Sequence, residues 1–538
     1  MHKISGQIVD VVNQRMYPGT IHAEGGKIVE IIPQDIAPQR FIMPGFVDAH
    51  IHIESSMLVP SAFARLAVTH GTVATVSDPH EIANVCGMAG VQFMIDDGKT
   101  VPLKFCFGAP SCVPATGFET AGAVLDTAAV RELLAQPDIY YLAEMMNWPG
   151  VLCKDPEVMA KIEAARELGK PVDGHAPGLR GDQARSYAAA GMSTDHECFT
   201  REEALDKIAA GMKILIREGS AAKNFDALIS LFETHPEMLM FCSDDKHPDD
   251  LVLGHINALV ARAVALGYPL FDVLHAACVA PVQHYGLPVG LLQPGDPADF
   301  IITNNLEIFK VTETWIQGEP VFADGQVLFP KVQAGLLNNF VSYTVKPEDF
   351  EKESAGSLFP VIQAIDGELI TRKEMRVLPK LGNLVQPDLK NDILKMTVVN
   401  RYQKAKPAVA FIQNFGIKNG AIASSVGHDC HNIIAVGTSD EDLARVVNLV
   451  MEAKGGIAAV HGEQEDLLPL PVAGIMTNAP GEDVGEAYER LTRIARDMGS
   501  TLKAPYMLIS FMALLVIPSL KLSDKGLFDG DSFTFVDW

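Results

Sequence analysis

The sequence predicts an α/β protein: a TIM (β/α)8 barrel with a split small β domain and an additional C-terminal α/β domain. Three observations carry this. Strand and helix patterns alternate eight times between residues 46 and 285, and eight such repeats in about 240 residues is the ordinary size of the barrel. β-rich segments flank that stretch on both sides. The 538-residue chain also exceeds the ~250–300 residues at which a single core stops growing.

Residues 1–45 read as short strands. Ile8–Val12 and Lys27–Ile32 are β-rich, and Gly25-Gly26 punctuates between them. Residues 286–335 look alike, with Asp299–Ile302 following the turn Gln293-Pro294-Gly295-Asp296-Pro297. The two segments are expected to build one small β domain. The barrel strands are expected at Gly45–Ile53, Thr72–Ser77, Lys104–Gly108, Tyr140–Met145, Pro171–Gly174, Ser193–His196, Lys213–Ile216 and Met238–Ser243, with helices such as Glu157–Leu168 and Ala221–Glu233 between them. A doubly wound sheet fits the alternation too. The lack of a G-x-G-x-x-G after an early strand weakens a dinucleotide site.

Residues 336–538 form a third region. Asn432–Val436 is a strand, and Ser439 with Asp442 resembles a capping box opening a helix that ends at Gly455-Gly456. Val484, Ala487, Leu491, Ile494 and Met498 recur at helical spacing, with Gly499 as the stop. The longest apolar stretch, between Lys503 and Lys521, is broken by Pro505, Ser510, Pro518 and Ser519. It falls short of the ~20 residues a membrane helix needs and reads as buried core.

Apolar residues make up 48 % of the chain and charged residues 20 %, which excludes a disordered or fibrous protein. The 67 acidic against 43 basic residues leave a formal charge of −24. That argues against nucleic acid and anionic membranes as partners, but not against a nucleobase, which carries no phosphate. The eight cysteines are scattered without a C-x-x-C pair, and Met1–Gly6 has no apolar leader. The expectation is a reduced, cytoplasmic protein.

Chemistry concentrates at the C-terminal ends of the expected strands, where barrel sites are built. His50 and His52 lie two apart on one strand, so both imidazoles face one side. Alone, the pair reads equally well as two histidines at a core edge. Glu144, His175, His196 and Asp244 then end or follow the fourth, fifth, sixth and eighth strands. A carboxylate ending an apolar strand is costly to bury unpaired, and a metal is one way to neutralise it. Each position singly reads as structural; five strand ends in register are hard to reach by accident. A second cluster, His428, Cys430 and His431, has no fourth ligand near it in sequence and reads as a tight turn in a packed domain.

The strand-end pattern resembles the amidohydrolase superfamily. Longer stretches resemble the bacterial adenine deaminase family: His50-Ile51-His52-Ile53-Glu54-Ser55-Ser56-Met57, Ser77-Asp78-Pro79-His80-Glu81, Gly174–Leu179, Ser243-Asp244-Asp245-Lys246-His247-Pro248 and Ser424–Asn432. Hydantoinases and dihydroorotases usually place a carboxylated lysine where this chain has Glu144, which fits the deaminases. The resemblance implies a binuclear centre. His50, His52 and Asp244 would take one ion, His175 and His196 the other, and Glu144 would bridge both. Mn2+ or Fe2+ is implied, with Zn2+ also compatible with ligands that include no thiolate. The implied reaction is hydrolytic deamination of adenine in purine salvage, by hydroxide attack at C6 with Asp244 passing the proton to the leaving amino group. Glu54, His80, Glu81 and Asp245 are candidates for substrate contact or ring protonation, or else support the ligands. Asp245 adjoins Asp244, and the order Ser243-Asp244 favours Asp244 as the ligand. A homo-oligomer, a dimer, is expected. The alternatives are another amidohydrolase, acting on a cyclic amide or another aminopurine, and a metal-free scaffold of the same fold.

Overall fold

The protein is described by a computed structural model covering residues 1–220 and 222–538. It divides into two compact units. The first comprises Met1–Pro79, Gln92–Cys112 and Leu125–Ala334; the second comprises His80–Val91, Val113–Val124 and Gly335–Trp538.

The first unit holds the barrel. Five parallel strands, Phe46–Ile51, Thr72–Ser77, Lys104–Ala109, Ile139–Met145 and Val172–Gly174, pair in chain order. Three more, Thr194–Asp195, Lys213–Arg217 and Leu239–Cys242, form a second parallel run. Two parallel bridges join the runs, Val172 with Met192 and Ile51 with Asp244, and they close the ring. The first two strands are buried along their whole length, as parallel strands covered on both faces must be. All eight expected strands are present within one or two residues of their expected ends.

Strands from both flanks of the barrel make one eight-stranded sheet. Its order is Gln326–Val327, Glu319–Ala323, Val311–Ile316, Phe300–Thr303, Phe41–Pro44, His2–Asp10, Arg15–Glu24 and Lys27–Pro33. Gly25 and Gly26, with φ of 58° and 81°, supply the left-handed two-residue turn of the last hairpin. Ile4, Ile8, Ile21, Ile42, Phe300, Ile302 and Trp315 share its core.

Between barrel strands, Pro156–Glu167 is helical as expected. The helix expected over 221–233 begins at Ala221, which lies outside the described residues. Beyond it, the chain forms only a short α-helix, Phe225–Leu228, and a 3-10 turn, Ile229–Glu233. The reason is local. Asn224 spends its side chain on the Arg217 N–H and the His196 carbonyl instead of capping a longer helix.

The second unit has its own eight-stranded sheet, running in order through Thr371–Val377, Leu358–Ala364, Ala408–Gln413, Ile393–Val399, Ile433–Gly437, Ala421–Ser424, Gly456–His461 and Gln464–Pro469. The helix Asp440–Ala453 packs on it through Leu443, Val446, Val447 and Val450, and the Ser439 hydroxyl accepts from the Asp442 N–H as expected of a cap. Its stop differs from expectation: Lys454, at φ 57°, closes the helix. Gly455 and Gly456 serve close packing, since a Cβ on Gly455 would lie 2.2 Å from the Gly474 backbone. The later helix, Gly481–Asp497, buries Val484 and Leu491 of the expected stripe, with Met498 buried at its cap, and leaves Ala487 and Ile494 half-buried. Gly485, Tyr488, Thr492 and Ala495 widen the buried face, with Tyr488 packed near Tyr506. Of the apolar stretch before Lys521, residues 505–515 are buried and 516–519 are half-buried or exposed, and among the described residues no helix is long and apolar enough to cross a membrane.

Gly45 enters the first barrel strand, where a Cβ would lie 2.2 Å from Val73 Cγ1. Gly45→Ala is therefore expected to destabilise the protein by about 1–3 kcal/mol, and Val73→Ala in the same chain to relieve part of that loss. Denaturant midpoints of the three variants test this; an unchanged midpoint for Gly45→Ala would refute the close approach.

Candidate metal centre

The six strand-end residues of the sequence pattern converge. His50 and His52 leave the first strand on one side, as period two requires, with their Nε2 atoms 3.2 Å apart. The His52 Nδ1–H donates to the Asp78 carbonyl at 3.2 Å. This sets the tautomer and leaves the Nε2 lone pair facing the centre. Asp244 Oδ1 lies 3.6 Å from His50 Nε2 and 3.3 Å from His52 Nε2. Glu144, ending the fourth strand, presents its two oxygens to different partners. Oε1 is 3.4 Å from His52 Nε2, while Oε2 is 2.6 Å from His175 Nδ1 and 3.1 Å from His196 Nε2. The His50 and His196 rings stack with centroids 4.0 Å apart.

Backbone geometry explains the convergence. Asp244 follows the eighth strand with φ 54°; its N–H donates to the His50 carbonyl at 2.9 Å, and its carbonyl accepts from the His52 N–H at 3.4 Å. The same two strands are tied behind the site by Asp48. Its carboxylate accepts from the Ser243 N–H at 3.0 Å, from the Ser243 hydroxyl and from His255 Nε2 at 2.7 Å.

Burial sets the electrostatics. Burial alone would raise the Glu144 carboxyl, but the His175 and His196 imidazoles beside it hold it well below the usual carboxylate range. Burial would likewise raise Asp244, and Arg217 with His50 and His52 holds it well below. For His175, burial favours the neutral ring, yet Glu197 and Glu144 outweigh it and raise the imidazole to about 9. The donor set fits a divalent cation. The ligand atoms of His50, His196 and Asp244 lie within 4.8 Å of one another, as do those of Glu144, His175 and His196, and no thiolate is among them.

The other sequence candidates are distributed differently. Glu54 is buried in the turn Ile53–Ser56 after the first strand, and Asp245 accepts from the Ser55 hydroxyl at 2.5 Å; both belong to the unit that holds the six. His80 and Glu81 belong to the second unit. There the Glu81 carboxylate accepts from His428 Nδ1 and, at 2.5 Å, from His431 Nε2. The Gly427 N–H donates to His431 Nδ1, which places the His431 proton on Nε2. Glu81 is thus the partner that sequence proximity did not supply to the cluster His428, Cys430, His431.

Two residues of the centre escaped the sequence reading. Arg217, the last residue of the seventh strand, is fully buried and reaches Asp244 Oδ2 at 2.6 Å. Its fork also holds Glu197, with Nη2–Oε2 at 3.0 Å. The signal was present: Arg217 caps the apolar run Ile214-Leu215-Ile216, as Glu144 ends Tyr141-Leu142-Ala143.

Four imidazoles and two carboxylates, five of them buried and His175 half-buried, gather at the C-terminal ends of an eightfold barrel, an arrangement that fits a metal-dependent hydrolase centre. Comparison with known proteins agrees. Residues 41–321 match the model of the amidohydrolase family, and residues 368–534 match that of the adenine deaminase C-terminal domain. Proteins named adenine deaminase align over nearly the full length. The one from Salinibacter ruber is 54 % identical over 99 % of this chain and 98 % of its own. That from Methanosarcina mazei is 51 % identical over 100 % and 99 %, and that from Borreliella burgdorferi 48 % identical over 100 % of both. The chain belongs to the adenine deaminase family of amidohydrolases.

A metal ion bound at His175 would have to displace its proton. Because that imidazole titrates near 9, cation uptake at pH 7 is expected to release protons, and affinity to weaken as pH falls below 9. Calorimetric Mn2+ titrations in two buffers of different ionisation enthalpy measure this; heats independent of the buffer would contradict it.

Proposed function

We propose that the protein hydrolyses adenine to hypoxanthine and ammonia at a pair of divalent cations. His50, His52 and Asp244 would hold one ion, His175 and His196 the other, with Glu144 shared. The observation that carries this reading is the position of Glu144, whose two oxygens face His52 on one side and His175 and His196 on the other. Near-full-length similarity to proteins named adenine deaminase supports the substrate. The N and O donor set supports Mn2+ or Fe2+, with Zn2+ compatible. When bound, the two ions lower the pKa of a water so that a nucleophile exists near neutral pH.

The chain's own groups do the rest. Water oxygen bonds to C6 and the C6–N6 bond breaks. One water proton ends on the departing nitrogen and the other on a ring nitrogen. Asp244, held ionised at the centre, accepts the first proton and passes it to the amino group leaving as ammonia. A carboxylate this acidic binds the proton only briefly, which suits a relay. Glu54 and Asp245, and His80 and Glu81 of the second unit, remain the candidates for contacts to the purine.

The partition into a small β domain (1–45 and 286–335), a barrel (46–285) and a C-terminal domain (336–538) is part of the same proposal, supported by the first sheet, which takes strands from both flanks of the barrel. A cytoplasmic homodimer acting in purine salvage completes it; the eight free cysteines support a reducing compartment.

Ammonia release across adenine, guanine, adenosine and cytosine tests the substrate. Adenine is expected to be turned over far faster than the other three, and preference for another of them would overturn the assignment. Glu144→Gln is expected to lose one bound ion and nearly all turnover; two ions with full activity would remove Glu144 from the bridge.

A further inference from the structure

Arg217 belongs to the seventh barrel strand, which supplies none of the six proposed ligands. That strand pairs with the sixth through Thr194–Lys213 and Asp195–Ile214, and with the eighth through Arg217–Cys242. It therefore stands between His196 and Asp244, which belong to opposite halves of the proposed metal pair. Its guanidinium uses that place. Nη1 donates to Asp244 Oδ2 at 2.6 Å and also to Glu197, whose second oxygen accepts from Nη2 at 3.0 Å. Glu197 Oε1 in turn lies 3.4 Å from His196 Nε2 and 3.7 Å from His175 Nδ1. Asn224 holds the strand end in place, accepting from the Arg217 N–H at 2.8 Å and donating to the His196 carbonyl at 3.0 Å.

Two carboxylates this close repel each other, and in a buried site that repulsion is poorly screened. A planar fork of fixed donors can hold both at once, which a lysine ammonium cannot match in geometry. The fork also divides the work of Asp244. Oδ2 is taken by Nη1, so Oδ1 is the oxygen that faces His50 and His52.

We propose that Arg217 is the positioning residue of the metal centre, coupling its two halves by clamping Asp244 on one side and Glu197, beside His175 and His196, on the other. Its Nη1 and Nη2 donors go to Asp244 and Glu197, none of them to a proposed imidazole ligand. Its effect passes through the orientation of Asp244 and the charge balance of Glu197. The proposal rests on the metal reading above but not on adenine as the substrate.

The test uses the full-length protein, stripped of metal and titrated with Mn2+ alone, in the variants Arg217→Met and Arg217→Lys. Arg217→Met is expected to bind at least one of two Mn2+ about 10–100-fold more weakly, the usual cost of losing a partner that orients a metal ligand. With Mn2+ saturating, kcat for adenine is expected to fall by a similar factor while KM changes less than about threefold. Arg217→Lys, which keeps the charge and loses the fork, is expected to fall between the two. Should Arg217→Met fail to fold, Glu197→Gln removes the charge on the other side of the clamp and is expected to weaken Mn2+ binding in the same direction. Wild-type affinity for both ions in the folded variants, even with a lowered melting temperature, would reduce Arg217 to a structural residue and overturn the proposal. Because Mn2+ affinity is read without adenine, this outcome is separable from failure of the substrate assignment.

Discussion

Two backbone hydrogen bonds made by Asp244, from its N–H to the His50 carbonyl and from the His52 N–H to its own carbonyl, seam the eighth barrel strand to the first. The residue that completes the ring is thereby the one that sets a carboxylate oxygen against the two imidazoles of the first strand. The left-handed conformation of Asp244 turns the chain so that seam and side chain work together. Asp48 reinforces the seam from behind by gripping Ser243 and His255. Without closure, residues spread over nearly 200 positions would have no common centre.

The chemistry follows from what closure forces together. Glu144, Asp244 and Glu197 bring three carboxylates into a buried space, and Arg217 is the fixed cation among them. Such a set is expensive unless cations join it. Two His52 groups are already committed: Nδ1–H to the Asp78 carbonyl, and Nε2 to the centre. The proposed ligands are held in orientations that suit a metal, and their strong charges are the price of that arrangement.

Much of this was legible in the sequence, for a physical reason. Parallel barrel strands are apolar along their length, so an ionisable residue at a strand end stands out. Glu144 after Tyr141-Leu142-Ala143 and Asp244 after Phe241-Cys242-Ser243 are such cases, and period two aligned His50 with His52. Arg217 carries the same signal, but a guanidinium is no metal ligand and so falls outside a pattern of acids and imidazoles. Glu197 was hidden by its neighbour His196. The partnership of Glu81 with His428 and His431 spans nearly 350 residues, and no local pattern encodes it. The buried face of the helix Gly481–Asp497 is wider than its apolar stripe, because Tyr488, polar at one end, packs as an apolar ring.

The most direct test of the central claim is anomalous diffraction from crystals of the Mn2+-loaded protein. Two peaks about 3.5 Å apart, with a Glu144 oxygen on each, His50, His52 and Asp244 around one and His175 and His196 around the other, are the result the account predicts. A single peak, or two ions bound away from Glu144, would contradict it.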